Sequence, residues 1–181
     1  MAHLKDIAIT KDKIYQGGCH CRGVRFCLTG PLRQALICHC RDCFQIAGLS
    51  WGSTSVPNES FALTAKQTLG WYDSSAWAKR GFCRNCGASL FYRLNGITRT
   101  SVAIGMLDDA NDLVIAGQIF ADSHPHWDRL RPHDLPLLDD HFWGKISRPI
   151  SRVMLAARQC RAVQRQIAPR RLPALDPLLD H

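Results

Sequence analysis

The chain has 181 residues, 46% apolar and 21% charged, with nine cysteines and a formal net charge of +8. That length suits one compact domain with an extension, and no run approaches the eighteen or so apolar residues of a membrane span. The charge is uneven: residues 144–181 hold eight Lys or Arg against two Asp, a net +6 that leaves +2 for the first 143 residues, so total charge does not argue for nucleic acid.

The opening MAHLKDIAIT has no uninterrupted apolar core and no small-residue cleavage site, which points to a cytoplasmic protein. A reducing cytoplasm disfavours structural disulfides and makes clustered cysteines candidates for metal binding. The first cluster is the CxC of Cys19 and Cys21. If that segment is extended, residues two apart project to one side, which brings the two sulfurs together and turns His20 away. VRFCLTG follows as a half-buried strand, with Val24, Phe26 and Leu28 on one face and Arg25, Cys27 and Thr29 on the other. CHCRDC then places Cys38, Cys40 and Cys43 within six positions, and His39 is read as partly exposed and non-coordinating. Further strands are expected at SWGSTSV, around Leu69 to Tyr72, at SLFYRL, at TSVAIGML and at LVIAGQIFA, separated by turn signals such as Pro57-Asn58, Asn95-Gly96 and Asp108-Asp109. Between them FCRNCG carries Cys83 and Cys86, a CxxC followed by glycine that suits a tight turn.

After the loop SHPHWDRLRPHD the pattern changes. Ile150, Val153, Met154, Ala157, Val163 and Ile167 recur at helical spacing among arginines, with Ser147 as N-cap and Pro169 as the stop. The expected organisation is a mainly β domain over 1–143 and a basic extension over 144–181, helical over about 147–167. Docking of the apolar stripe on the parent domain is the simpler reading of that helix; its arginine face could also lie on nucleic acid or an acidic membrane.

Seven cysteines thus fall into three groups, with Cys27 read as a buried small side chain and Cys160 as a free thiol. Zinc is the natural occupant of such clusters, held by thiolates at about 2.3 Å. Joining the two pairs gives a closed four-sulfur site of Cys19, Cys21, Cys83 and Cys86, and leaves the triplet with three protein ligands and an open position, the arrangement of catalytic zinc. Spacing also permits Cys40 and Cys43 to join Cys83 and Cys86 as an ordinary ribbon.

The run GGCHCRGVRF, then CHCRDC, then WAKRGFCRNCGASLF resembles the glutathione-dependent formaldehyde-activating enzyme family, also called the centromere protein V domain family. IFADSHPHW and a DLP segment extend the resemblance over roughly residues 14 to 143. It implies an Mss4-like zinc-bound β fold, structural zinc on Cys19, Cys21, Cys83 and Cys86, and catalytic zinc on Cys38, Cys40 and Cys43. It also implies a carbon-sulfur lyase that joins formaldehyde to glutathione as S-hydroxymethylglutathione, or reverses this. The alternative function is a zinc-stabilised binding module without turnover. Two features depart from the family pattern: FQIAG follows the third cysteine of the triplet, and the arginine-bearing tail has no counterpart.

Arg41, Lys79, Arg80 and Arg84 are close in sequence to the cysteines and could offset thiolate charge, although solvated surface charge is the simpler reading for each. His124, His126 and His133 could line the open zinc site and shuttle a proton. Trp51, Trp77 and Trp127 are expected to pack in the core.

Overall fold

The structure is a computed structural model and describes residues 13–128. The 143/144 boundary, the helix at 147–167, the DLP segment, His133 and Cys160 lie outside the described residues. The chain runs through β1 (Ile14–Gly18), β2 (Val24–Thr29), β3 (Ala35–Cys38), α1 (Arg41–Ala47), β4 (Trp51–Pro57), β5 (Phe61–Lys66), β6 (Leu69–Ser75), β7 (Ala78–Cys83), β8 (Ser89–Leu94), β9 (Arg99–Ala103) and β10 (Ile115–Ile119). The molecule is mainly β, as the strand patterns predict.

Two sheets result. One is three-stranded in the order β1-β2-β5, and the other is seven-stranded in the order β10-β3-β4-β9-β8-β7-β6. Every pair is antiparallel except β10 with β3, which run parallel. A parallel pair needs a crossover rather than a hairpin, and here almost the whole of the large sheet separates the two partners in sequence. β10 therefore delivers the residues that follow it to the end of β3, where the cysteine triplet begins.

Apolar side chains of β2, β4, β8 and β9 form the main core: Val24, Phe26, Leu28, Val56, Leu90, Phe91 and Val102 are each at most 1% exposed. Phe91 meets Phe26 edge-on at 5.3 Å and Phe61 at 5.0 Å, which joins the small sheet to the large one through aromatic contacts. The expected apolar face of β2 is buried, but its other face is covered as well: Cys27 is 1% and Thr29 8% exposed. A second cluster gathers Leu36, Cys38, Cys43, Trp51, Ala103 and Ile119 around the triplet. Gly17 admits this packing, because a Cβ there would lie 2.3 Å from the Met106 carbonyl oxygen and 2.4 Å from Phe26.

Of the tryptophans expected in the core, Trp51 is there, whereas Trp77 and Trp127 are 65% and 58% exposed. Trp77 sits in the β6–β7 turn, where among the described residues no layer faces the hairpin tip. Among the described residues no helix is long and apolar enough to cross a membrane.

The loop before β10 is fastened to β1. The buried Tyr15 hydroxyl donates to Asp112 Oδ2 at 2.5 Å, and Lys13 Nζ lies 2.9 Å from Oδ1 of the same carboxylate. The Tyr15 hydrogen bond, then the Lys13 ammonium, hold the Asp112 carboxyl below its ordinary value. A carboxyl depressed in the folded state contributes stability that is present above its unfolded value of about 3.9 and is lost as pH falls through the lower folded value. Asp112→Asn is expected to flatten the acid side of the stability profile, seen as urea midpoints that fall less steeply than those of the wild type below about pH 4.

Candidate metal centres

The sulfurs of Cys19, Cys21, Cys83 and Cys86 converge, all within 4.8 Å of one another. The first pair is not extended as its spacing suggests; it occupies the tight turn between β1 and β2. There Cys19 N–H donates to Val24 O at 3.1 Å, Arg22 N–H donates to Cys19 O at 3.0 Å, and Arg22 takes a left-handed φ of 62°. The second pair ends β7 in the expected turn, closed by Gly87 N–H donating to Cys83 O at 2.9 Å with Gly87 at φ 72°. Cys21 Sγ lies 3.5 Å from both Cys19 Sγ and Cys83 Sγ. Sulfurs at about 2.3 Å from one tetrahedral ion would lie about 3.8 Å apart, so this donor set fits zinc in both chemistry and size.

The surroundings also suit thiolates. Val24 N–H donates to Cys19 Sγ at 3.2 Å, Cys86 N–H to Cys83 Sγ at 3.5 Å, and the Thr68 hydroxyl lies 3.1 Å from Cys83 Sγ. Burial pushes the Cys19 thiol up to about 12. At Cys83 burial acts the same way, but the Thr68 hydroxyl and the Cys86 and Asn85 amides outweigh it and bring the thiol down to about 6.

Cys38, Cys40 and Cys43 form a second converging group. Cys38 ends β3, Cys40 is extended at φ −66° and ψ 154° as the N-cap of α1, and Cys43 lies in the first turn of that helix. The strand end and the helix start therefore aim three sulfurs at one point. Hydrogen bonds from Cys38 and Cys43 push the Cys40 thiol down, while hydrogen bonds from Cys40 and Cys43, and then burial, push Cys38 up. Among the described residues this group contains three ligand side chains, and the ribbon that would join Cys40 and Cys43 to Cys83 and Cys86 does not form.

Arg80 departs from the surface reading. It is 4% exposed and points Nη2 at Cys43 Sγ across 3.6 Å, with its guanidinium 4.9 Å from the Tyr92 ring and 5.6 Å from the Trp51 ring. The register pairs Arg80 with Tyr92, so β7 and β8 carry the cation and its aromatic support together. Arg41 and Arg84 are exposed, and Lys79 lies over the Trp71 ring at 5.7 Å.

The histidines divide. His20 and His126 are exposed, whereas His39 is 1% exposed, which corrects its reading as partly exposed. The alternation that turns His39 away from the sulfurs aims it at Gln118 of β10 and at His124 in the chain that follows. There His39, His124 and Asp128 form a third convergent group, again with ligand atoms within 4.8 Å. His124 Nε2 lies 3.1 Å from Asp128 Oδ2, and the His39 and His124 rings meet edge-on at 5.0 Å. The one sequence signal for this group is the i,i+4 spacing of His124 and Asp128. Nothing in the sequence marks Gln118, whose Oε1 lies 3.0 Å from His39 Nε2.

The chain is similar to several known proteins. The glutathione-dependent formaldehyde-activating enzyme family matches residues 14–123. An uncharacterized lyase of Schizosaccharomyces pombe is 26% identical over 118 residues, covering 61% of this chain and 81% of that protein. A Colletotrichum graminicola protein provisionally named a glutathione-dependent formaldehyde-activating enzyme is 34% identical over 99 residues, covering 50% of this chain and 52% of that one. A crystal structure of a Rhodobacter sphaeroides protein aligns with a TM-score of 0.46 at 21% identity, over 53% of this chain and 90% of that one. With three cysteine motifs in two converging groups and a family match over more than half its length, the chain belongs to the glutathione-dependent formaldehyde-activating enzyme family.

Proposed function

We propose that the protein is a zinc-dependent carbon-sulfur lyase that makes and breaks the adduct of a thiol such as glutathione with a small aldehyde such as formaldehyde. The observation that carries this reading is the three-sulfur group of Cys38, Cys40 and Cys43 beside the buried Arg80. In this reading Cys19, Cys21, Cys83 and Cys86 hold a structural zinc with a complete protein shell, and the triplet holds a second zinc with one coordination position left for substrate. Zinc bound by the triplet would supply a position at which a substrate thiol is held ionised beside the aldehyde carbon.

The chain's own residues set the charge balance. Three thiolates against a dication leave one negative charge, and an incoming thiolate adds another. The Arg80 guanidinium, 3.6 Å from Cys43 Sγ, offsets part of that charge in a buried setting where screening by water is weak. Trp51 and Tyr92 keep the guanidinium in place through their ring faces. In the forward direction a sulfur electron pair forms the bond to the carbonyl carbon, the carbonyl π pair moves to oxygen, and that oxygen takes the proton released by the thiol. The reverse breaks the same carbon-sulfur bond, and no oxidant or reductant is needed. A reducing environment would keep the seven clustered cysteines, which are free thiols in the structure, and the thiol substrate in the required state.

Magnetisation exchange among glutathione, formaldehyde and their adduct, followed by NMR, measures this turnover. Cys40→Ser is expected to lower it by on the order of a hundredfold or more while keeping the urea midpoint near that of the wild type. Cys83→Ser is expected to lose about one zinc per chain and to unfold at a much lower temperature, since structural zinc can contribute on the order of 10 kcal/mol to folding. Full exchange in Cys40→Ser would sink the lyase reading, and a zinc-loaded wild type no faster than buffer would leave a binding module.

Arg80 makes a separate prediction. Arg80→Met, close in length but uncharged, should weaken zinc retention at the triplet by about 10- to 100-fold in competition with a chelator, and Arg80→Lys should recover part of that loss. Equal retention in all three proteins would show that the guanidinium does not compensate the thiolates.

A further inference from the structure

We infer that His39, His124 and Asp128 form a third metal site, distinct from both cysteine groups, for a divalent first-row transition metal held by nitrogen and oxygen. Three observations support it. The three ligand atoms lie within 4.8 Å of one another in a buried setting, where His39 is 1% exposed and the side chains of His124 and Asp128 are 9% and 4% exposed. Two imidazoles and a carboxylate are the donor set by which zinc and ferrous iron are held when thiolates are absent.

The second observation is the orientation of His39. Its Nε2 faces Gln118 Oε1 at 3.0 Å, and an amide oxygen can only accept, so Nε2 carries the proton and Nδ1 presents its lone pair. A ligand histidine is held in this way, with one ring nitrogen donating to a fixed oxygen and the other turned to the ion. Gln118 is itself 2% exposed and sits on β10, beside β3.

The third observation is a contact that is close and yet misaligned. His124 Nε2 is 3.1 Å from Asp128 Oδ2, but among the described residues this buried nitrogen has no hydrogen-bond partner of usable direction. A nitrogen and an oxygen that both face a third point come close without aligning, and His39 lies on that side, with its ring 5.0 Å from that of His124. Phe44 and Trp127 pack at this group, with Phe44 6.2 Å from the His124 ring and 5.8 Å from the Trp127 ring, and supply the apolar wall of a metal site.

His39 lies between Cys38 and Cys40 in the chain, so the same extended segment would present sulfurs to one ion and an imidazole to another. The two ions would differ in softness of ligand, and this separates them experimentally. The full-length protein is saturated with zinc, dialysed and analysed for zinc per chain, beside the His124→Ala/Asp128→Asn double variant prepared in the same way. The wild type is expected to retain one equivalent more than the variant, whatever number the cysteines hold, so the result stands apart from the lyase proposal. Cobalt added to protein whose cysteines are already filled with zinc should give weak ligand-field bands without sulfur-to-cobalt charge transfer in the wild type, and no new bands in the variant. Equal zinc content in the two proteins would overturn the inference. If the double variant does not fold, the isosteric Asp128→Asn alone decides, with at least tenfold weaker retention expected of this equivalent and unchanged retention refuting it.

Discussion

The structure depends on thiol sulfurs held closer together than uncompensated anions can be. Two thiolates about 4 Å apart repel by about 4 kcal/mol at an effective dielectric of about 20, and the four-sulfur group contains several such pairs. One dication bound among them would turn this repulsion into attraction. The same sulfurs are structural members of the apolar interior: Cys19 and Cys83 belong to the main core, and Cys38 and Cys43 to the smaller cluster. The core and the sulfur groups therefore cannot be separated. The Cys21–Cys83 approach, across 62 positions of sequence, ties the first hairpin to the far end of the large sheet.

Buried positive charge appears in two forms that show what a cation in the interior requires. Arg80 has a sulfur acceptor and two aromatic faces, which suits a guanidinium beside an anionic group. Arg33, 7% exposed, instead donates to the backbone oxygens of Gln34 and Ser53, and receives Thr54 Oγ1 on its own carbonyl. Burial and then the nearby Arg99 bring the Arg33 guanidinium down to about 9, so that it still carries its charge at neutral pH. Arg33 fastens β4 to the start of β3 through neutral acceptors, whereas Arg80 faces a site.

The parallel pairing of β10 with β3 does for the histidines what the two turns do for the sulfurs. Hydrogen bonds continue past the end of the pair, where His39 N–H donates to Ile119 O at 3.0 Å. Immediately afterwards Phe120 takes a left-handed φ of 56°, a conformation unfavourable for a bulky residue. That bend starts the short 3-10 turn Ala121–Ser123 and brings His124 and Asp128 over His39. The cysteine triplet and the histidine group are thus built on opposite faces of one strand end.

The sequence by itself located strands such as β2 and β8, because runs rich in β-branched and aromatic residues bounded by turn signals mark a strand even where burial does not alternate along it. It also determined which cysteines were available, because short motifs with glycine or extended geometry leave their sulfurs close together. The strands β1, β3, β5 and β7 were not separable from loops, and α1 was hidden in a seven-residue stretch too brief to show a helical period. Only the tertiary structure decided that Arg80 and His39 are buried, because burial of a charged or polar side chain depends on what distant strands place over it. It also decided that the CxC is a turn, since the hydrogen bonds of Cys19 and Arg22 close within the first hairpin and not along a strand. The meeting of His39 with His124 and Asp128 needed the one parallel pairing in the sheet, a contact between segments some 85 residues apart that local sequence rules do not encode.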